Sequence, residues 1–143
     1  MLPKRTRFEP GVSATQLGQF HYLQIELELL GSELLREIVK KLVFLVEKKR
    51  GGYQISHQKD GQKEILDIPH KIPEESPLND RLQFSIYGIV SSSLRYLKQE
   101  LPVTKAGAFR QALSTRVKLL QKKKDGWKLV IEKDGAQETI ILL

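Results

Sequence analysis

Two runs of cation carry the most chemistry in this chain: Lys48-Lys49-Arg50 and Lys122-Lys123-Lys124, each followed closely by an aromatic residue, Tyr53 or Trp127. Ammonium and guanidinium groups bind phosphate oxygens, and an aromatic face beside them can stack a base. The two clusters are therefore candidate nucleic-acid-binding residues: Lys48, Lys49, Arg50 and Tyr53 in one, Lys122, Lys123, Lys124 and Trp127 in the other. A plainer reading competes with this one. Lysines at a helix C-terminus favour the helix dipole, and an aromatic after them can simply begin a strand. Arg36 and Arg110 also correspond under the repeat described below and read equally well as surface residues.

Other reactive types are sparse. The chain has no cysteine, which removes disulfides, thiolate metal sites and a thiol nucleophile. His21, His57 and His70 lack any metal-ligand spacing and default to surface or core roles, so no metal is expected. Glu26 with Glu100 and Glu64 with Glu138 are repeat-related carboxylates that could do acid–base work, but charge pairing accounts for them more cheaply. Ser91-Ser92-Ser93 makes no nucleophile elbow, and Gly51-Gly52 is too short for a phosphate loop. No catalytic residue and no cofactor is assigned. Phe44 falls on the polar side of its helix and is a candidate protein contact.

The elements that would position these groups come from an internal repeat. A shift of 74 residues lays 20–68 over 94–142 with 14 identities in 49 positions, where ordinary composition gives about three. "LVEKKRGGYQI" lies over "LLQKKKDGWKL", and "QKDGQKE" over "EKDGAQE". The pairs Leu35 and Phe109, Ile38 and Ala112, Val39 and Leu113, Val43 and Val117, and Val46 and Leu120 keep one helical stripe.

Each unit then reads as helix, helix, β-hairpin. First helices are expected at Ala14–Leu30 and within Asp80–Leu101, second helices at Glu33–Lys48 and Ala108–Lys122. Ser13 and Gln16 have capping-box spacing. The hairpins are Tyr53–Gln58 with Lys63–Ile68 and Trp127–Glu132 with Gln137–Leu142, turning at Asp60-Gly61 and Asp134-Gly135. The alternation through residues 20–30 and 82–90 also fits strands, so those segments stay open between helix and strand.

The expected fold is α+β: one domain of two repeats (13–68 and 81–143, joined by a proline-bearing linker 69–80), its hairpins forming one antiparallel sheet packed on helices with pseudo-two-fold symmetry. "LVEKKRGGYQISHQKDG" resembles the strand-and-wing segment of winged-helix DNA-binding domains, and a tandem winged-helix protein is the alternative that this resemblance implies. That family sets three helices before its wing, whereas two read upstream of each hairpin here.

The net charge of +7 and pI of 9.6 favour anionic partners. No apolar run is long enough to span a membrane, no secretory signal opens the sequence, and a cytoplasmic location is the expectation. The expected function is a non-catalytic nucleic-acid-binding (DNA or RNA) regulatory module. The alternative is a protein-interaction or assembly factor for an acidic partner, with a homodimer as its candidate assembly. An enzyme using Glu64 and Glu138 is the third reading.

Overall fold

The chain is described by a computed structural model covering residues 5–69 and 77–140. His70 and most of the expected linker lie outside the described residues, as does the end of the last expected strand. The order of elements is β1 (Thr6–Phe8), β2 (Gly11–Val12), α1 (Ala14–Leu27), α2 (Gly31–Arg50), β3 (Gln54–Lys59), β4 (Gln62–Ile65), β5 (Asp80–Arg81), β6 (Phe84–Ile86), α3 (Gly88–Glu100), α4 (Lys105–Lys124), β7 (Lys128–Lys133) and β8 (Ala136–Ile140). The fold is mixed α+β, with four helices and antiparallel sheets among the described residues.

Local chemistry sets the helix ends. Ser13 Oγ accepts from the Gln16 amide while Gln16 Oε1 accepts from the Ser13 amide at 2.9 Å, a complete capping box. Helix α1 ends at Leu27, three residues short of the sequence expectation, because Glu28 turns left-handed at φ 53°. Glu33 accepts from the Leu30 amide at the start of α2, and Thr104 Oγ1 accepts from the Gly107 amide at the start of α4.

The two long helices end alike. The Tyr53 amide donates to Lys48 O and the Gly52 amide to Lys49 O; the Trp127 amide donates to Lys122 O and the Gly126 amide to Lys123 O. With Gly52 at φ 92° and Gly126 at φ 87°, both ends are Schellman motifs. A Cβ at Gly126 would meet nothing closer than Lys59 Cε at 3.6 Å, so its requirement is conformational. Gly126→Ala is expected to destabilise by about 1–2 kcal/mol. Gly18, inside α1 with open space around its Cα, should do the reverse: Gly18→Ala is expected to stabilise by about 0.5–1 kcal/mol. Urea midpoints for the two variants test both signs.

Residues 20–27 are helical, while Phe84–Ile86 is a strand and α3 begins only at Gly88. The helix expected within Asp80–Leu101 is therefore α3, and the choice left open for 82–90 resolves to strand at Phe84–Ile86 and helix from Gly88. Phe84, Ser85 and Ile86 pair with Phe8, Arg7 and Thr6, and Gly11 and Val12 pair with Arg81 and Asp80. The sequence reading did not expect these ribbons. Hydrogen bonding across them takes up the strand alternation that residues 82–86 display.

The hairpins turn at Asp60-Gly61 and Asp134-Gly135, all four residues at positive φ as a two-residue type I′ connection needs. They join into one sheet of order β4-β3-β7-β8. In its central pair Ile55 lies opposite Ile131, Ser56 opposite Val130 and His57 opposite Leu129. Ile55, Leu129 and Ile131 face the helices and enter the core, with α2 against β3 and α4 against β7. Helix α2 packs on α3 and α4, and α1 on α4. At the far side of the helical layer Phe8, Phe20, Phe84 and Phe109 gather, with neighbouring ring centroids 5.6–6.3 Å apart. Two helices precede each hairpin among the described residues, so the tandem winged-helix alternative gains no third helix.

Candidate functional site

The Schellman ends place the basic clusters. Lys48 and Tyr53 occupy the two positions that this motif brings into contact, as do Lys122 and Trp127. Lys48 Nζ accordingly lies 5.1 Å from the Tyr53 ring centroid and 5.5 Å from that of Phe44, and Lys122 Nζ lies 4.3 Å from that of Trp127. The aromatic after each lysine run thus has a local cause. Its face is taken by an ammonium group, which leaves the loops better suited to phosphate than to base stacking.

The other cluster residues also meet partners. Lys49 Nζ donates to Ile68 O, Arg50 reaches Glu100 at 2.8 Å, and Lys124 reaches Glu26 at 2.8 Å while lying 5.5 Å from the Tyr22 ring. The Glu26 bond, then Tyr22, raise the Lys124 pKa above its ordinary value. Lys122 pairs with Glu64 at 2.5 Å, and Lys118 stands 3.8 Å from the same carboxylate. The hydrogen bond from Lys122 holds Glu64 below the usual carboxylate range. Lys49, Arg50, Lys123 and Lys124 remain exposed.

The sequence reading missed the lysines that come in from the opposite hairpin. Lys59, at the end of β3, donates to Asp125 O and lies over Gly126. Lys133, at the end of β7, lies over Gly52 with Nζ 5.4 Å from the Tyr53 ring. Each loop is therefore a patch built from both hairpins. Lys59 and Lys133 lie 74 positions apart in the sequence, but only the antiparallel pairing carries each to the other's loop. Beside Lys59 a shallow polar basin of about 480 Å³ runs between Lys63, Lys128 and Gly126.

The carboxylates singled out earlier do not converge. Glu64 sits on β4 and Glu138 on β8, the two outer strands of the sheet. Three strand spacings separate them, about 14 Å. Glu26 and Glu100 serve as partners of Lys124 and Arg50. Phe44 is half-buried, packs against the core and lies under Lys48, so it is not the free surface ring that its helical position suggests. His21 is exposed and contacts Gln24 at 3.0 Å. Arg110 donates to Gly11 O at 2.8 Å, and partial burial lowers its pKa. No group of three or more potential metal ligands occurs among the described residues.

A second feature is buried. His57 and Arg116 are 2% and 3% exposed and line a cavity of about 410 Å³ between β3, α4, β7 and β8. Arg116 Nε stands 3.5 Å from Glu37 Oε1, and Glu37 also takes Lys41 at 3.6 Å. Burial, with Lys122 and Lys118 nearby, pushes the His57 pKa down from 6.5 to about 4, so its ring is neutral near pH 7. The residues 74 positions away, Ile131 and Leu42, are both core residues.

No helix among the described residues is long and apolar enough to cross a membrane. Comparison of the chain with protein-family models, with curated proteins and with solved structures gives no match.

Proposed function

We propose that this chain is an internally duplicated, non-catalytic module that binds the phosphate backbone of nucleic acid through two equivalent basic loops. The observation that carries the reading is the exchange of lysines between hairpins. Lys133 joins the Lys48-Lys49-Arg50 loop and Lys59 joins the Lys122-Lys123-Lys124 loop, so the same basic patch is assembled twice. The loops stand at opposite ends of the six-residue β3–β7 pair, about 20 Å apart at the rise of an extended strand. A polyanion lying along the sheet would meet both.

The register supports the duplication. Ser56 lies opposite Val130, the residue 74 positions on, which is where a two-fold axis would pass. Thr6 opposite Ile86 becomes Val12 opposite Asp80 under the same shift, and Glu26–Lys124 becomes Glu100–Arg50. The unit then begins at the N-terminal ribbon and reads strand, helix, helix, hairpin, with residues 6–12 equivalent to 80–86.

Because the aromatic faces are occupied by lysine, the recognition is electrostatic and tolerant of sequence. Fluorescence anisotropy with a single-stranded RNA and a DNA of mixed sequence tests it. Four phosphate contacts give a slope of log affinity against log salt near −3, so affinity falls roughly fifty-fold between about 50 and 200 mM salt. Changing Lys49, Arg50, Lys123 and Lys124 together to Gln should remove most of that slope while leaving circular dichroism unchanged, since exposed ion pairs contribute about 0–1 kcal/mol each. Absence of binding to either probe at low salt would sink the proposal.

A second reading, a protein-interaction or assembly factor with an acidic partner or a second copy of itself, draws on Ile25, Leu30 and Ile89, which are 76%, 73% and 84% exposed. Light scattering across a concentration series that shows a strict monomer would count against the self-associating form.

A further inference from the structure

We propose that the cavity between β3, α4, β7 and β8 binds a small amphiphilic carboxylate, with its head at Arg116 and His57 and its apolar body against Leu119, Trp127, Leu129 and Ile140. The cavity, about 410 Å³, lies within the size range of small-molecule sites and has their usual character, apolar walls with a few converging polar groups.

Its polar floor is built from buried side chains. Arg116 is 3% exposed and His57 is 2% exposed. Arg116 Nε and His57 Nδ1 have no hydrogen-bond partner among the described residues. A guanidinium stays charged and offers five donors, and burying one is costly unless those donors are met. Glu37 meets this need incompletely, because its 3.5 Å approach to Arg116 lies outside hydrogen-bond geometry and Lys41 shares its charge at 3.6 Å. Lys123 and Lys128 also line the cavity, and the innermost cluster of Arg116, Lys41 and Glu37 carries one positive charge in excess. A monoanion balances it, and a carboxylate matches the planar fork of a single guanidinium. His57 adds one ring nitrogen able to donate or accept, according to its tautomer.

The apolar part of the lining selects the body. Leu119 and Leu129 are buried, and Trp127 and Ile140 are half-buried around the mouth. Leu42 and Ile131, which correspond to Arg116 and His57 under the 74-residue shift, are 0% and 1% exposed, so an apolar pair satisfies this architecture. Putting a cation and an imidazole there costs stability that an apolar pair does not, and such a departure from core chemistry is characteristic of a ligand site.

Trp127 is the single tryptophan of the chain and lines the cavity, so its fluorescence reports directly on occupancy. Titration with octanoate should shift its emission along a saturable curve, and octanol, which has the same body without the charge, should bind at least tenfold more weakly. Arg116→Leu, which installs the residue found at position 42, should fold and lose the preference for the carboxylate. Arg116→Lys, which keeps the charge but not the fork, should weaken octanoate binding and is the variant to use if Arg116→Leu does not fold. No saturable emission change, equal affinity for the two probes, or octanoate binding unaltered in the variant that folds would each overturn the proposal. The two sites adjoin, since Lys123 and Trp127 of the second loop also line the cavity, but Arg116 belongs to neither basic loop, so the Arg116 variants test the cavity and leave the loops' charge intact.

Discussion

Phe109→Ala should lower the free energy of unfolding by about 3–5 kcal/mol, the cost of deleting a fully buried phenylalanine ring. Phe109 is 0% exposed, and its ring centroid lies 6.1 Å from that of Phe8, 6.2 Å from Phe20 and 5.7 Å from Phe84. Those neighbours come from β1, α1 and β6, so the cavity left behind would loosen both the N-terminal ribbons and the helical layer. The surrounding rings are stiff and gather from separate elements, which limits how far the site can collapse. A loss of this size is a large share of the roughly 5–15 kcal/mol available to a domain. Urea unfolding followed by circular dichroism measures it as a lower midpoint at unchanged slope. Phe109→Leu, which installs the residue type found at the equivalent Leu35, should cost less than about 1.5 kcal/mol. A Phe109→Ala loss below 1 kcal/mol would show that the ring cluster does not anchor the helices.

Lowering the pH from about 7.5 to 5 should remove roughly 2 kcal/mol of stability through His57 alone. The folded chain keeps this ring neutral down to about pH 4, whereas an exposed imidazole ordinarily titrates near 6.5. Between those values the unfolded chain binds more protons, so stability rises with pH across the window. The contribution is complete above pH 6.5 and lost as the pH falls through 4. Lys122 and Lys118 on α4 oppose the protonated ring, and Glu64 on β4 favours it weakly by comparison. Glu64 and Glu132, whose lysine partners hold them below their ordinary 4.5, lose their own contributions only under more acid conditions. His57→Ile, matching the equivalent Ile131, should flatten the dependence between pH 7.5 and 5 and leave the acid limb below 4.5. An unchanged slope in that variant would mean that His57 is solvated or charged in the native state.

The helices and hairpins were legible because their signals are local and occur twice. One stripe survives two different sets of side chains, from Leu35 to Val46 and from Phe109 to Leu120, and both hairpins carry Asp-Gly where φ must be positive. The ribbons of Thr6–Val12 and Asp80–Ile86 were not legible. Each strand is two or three residues long and forms only by pairing across more than 65 residues of sequence, a distance over which no local propensity acts. The basic clusters were found, but the reason for their aromatics was not. Lys48 with Tyr53 and Lys122 with Trp127 follow from how a helix closes on a left-handed glycine, whatever the surface binds. Arg116 carried no signal of its own, and His57 read only as a surface or core histidine, because both lie where the residues 74 positions apart differ.

The strand exchange at the centre of the sheet has a further consequence. The β3–β7 pairing, the β1–β6 and β2–β5 ribbons and the Glu26–Lys124 and Arg50–Glu100 pairs all run between the first half of the chain and the second. The two halves are thus held together by many non-covalent contacts besides the peptide chain that joins them. Two separately made pieces, one ending after β4 and one beginning before β5, would be expected to find each other and rebuild the whole by fragment complementation. Either piece alone would present the inner edge of its hairpin to any strand able to dock there.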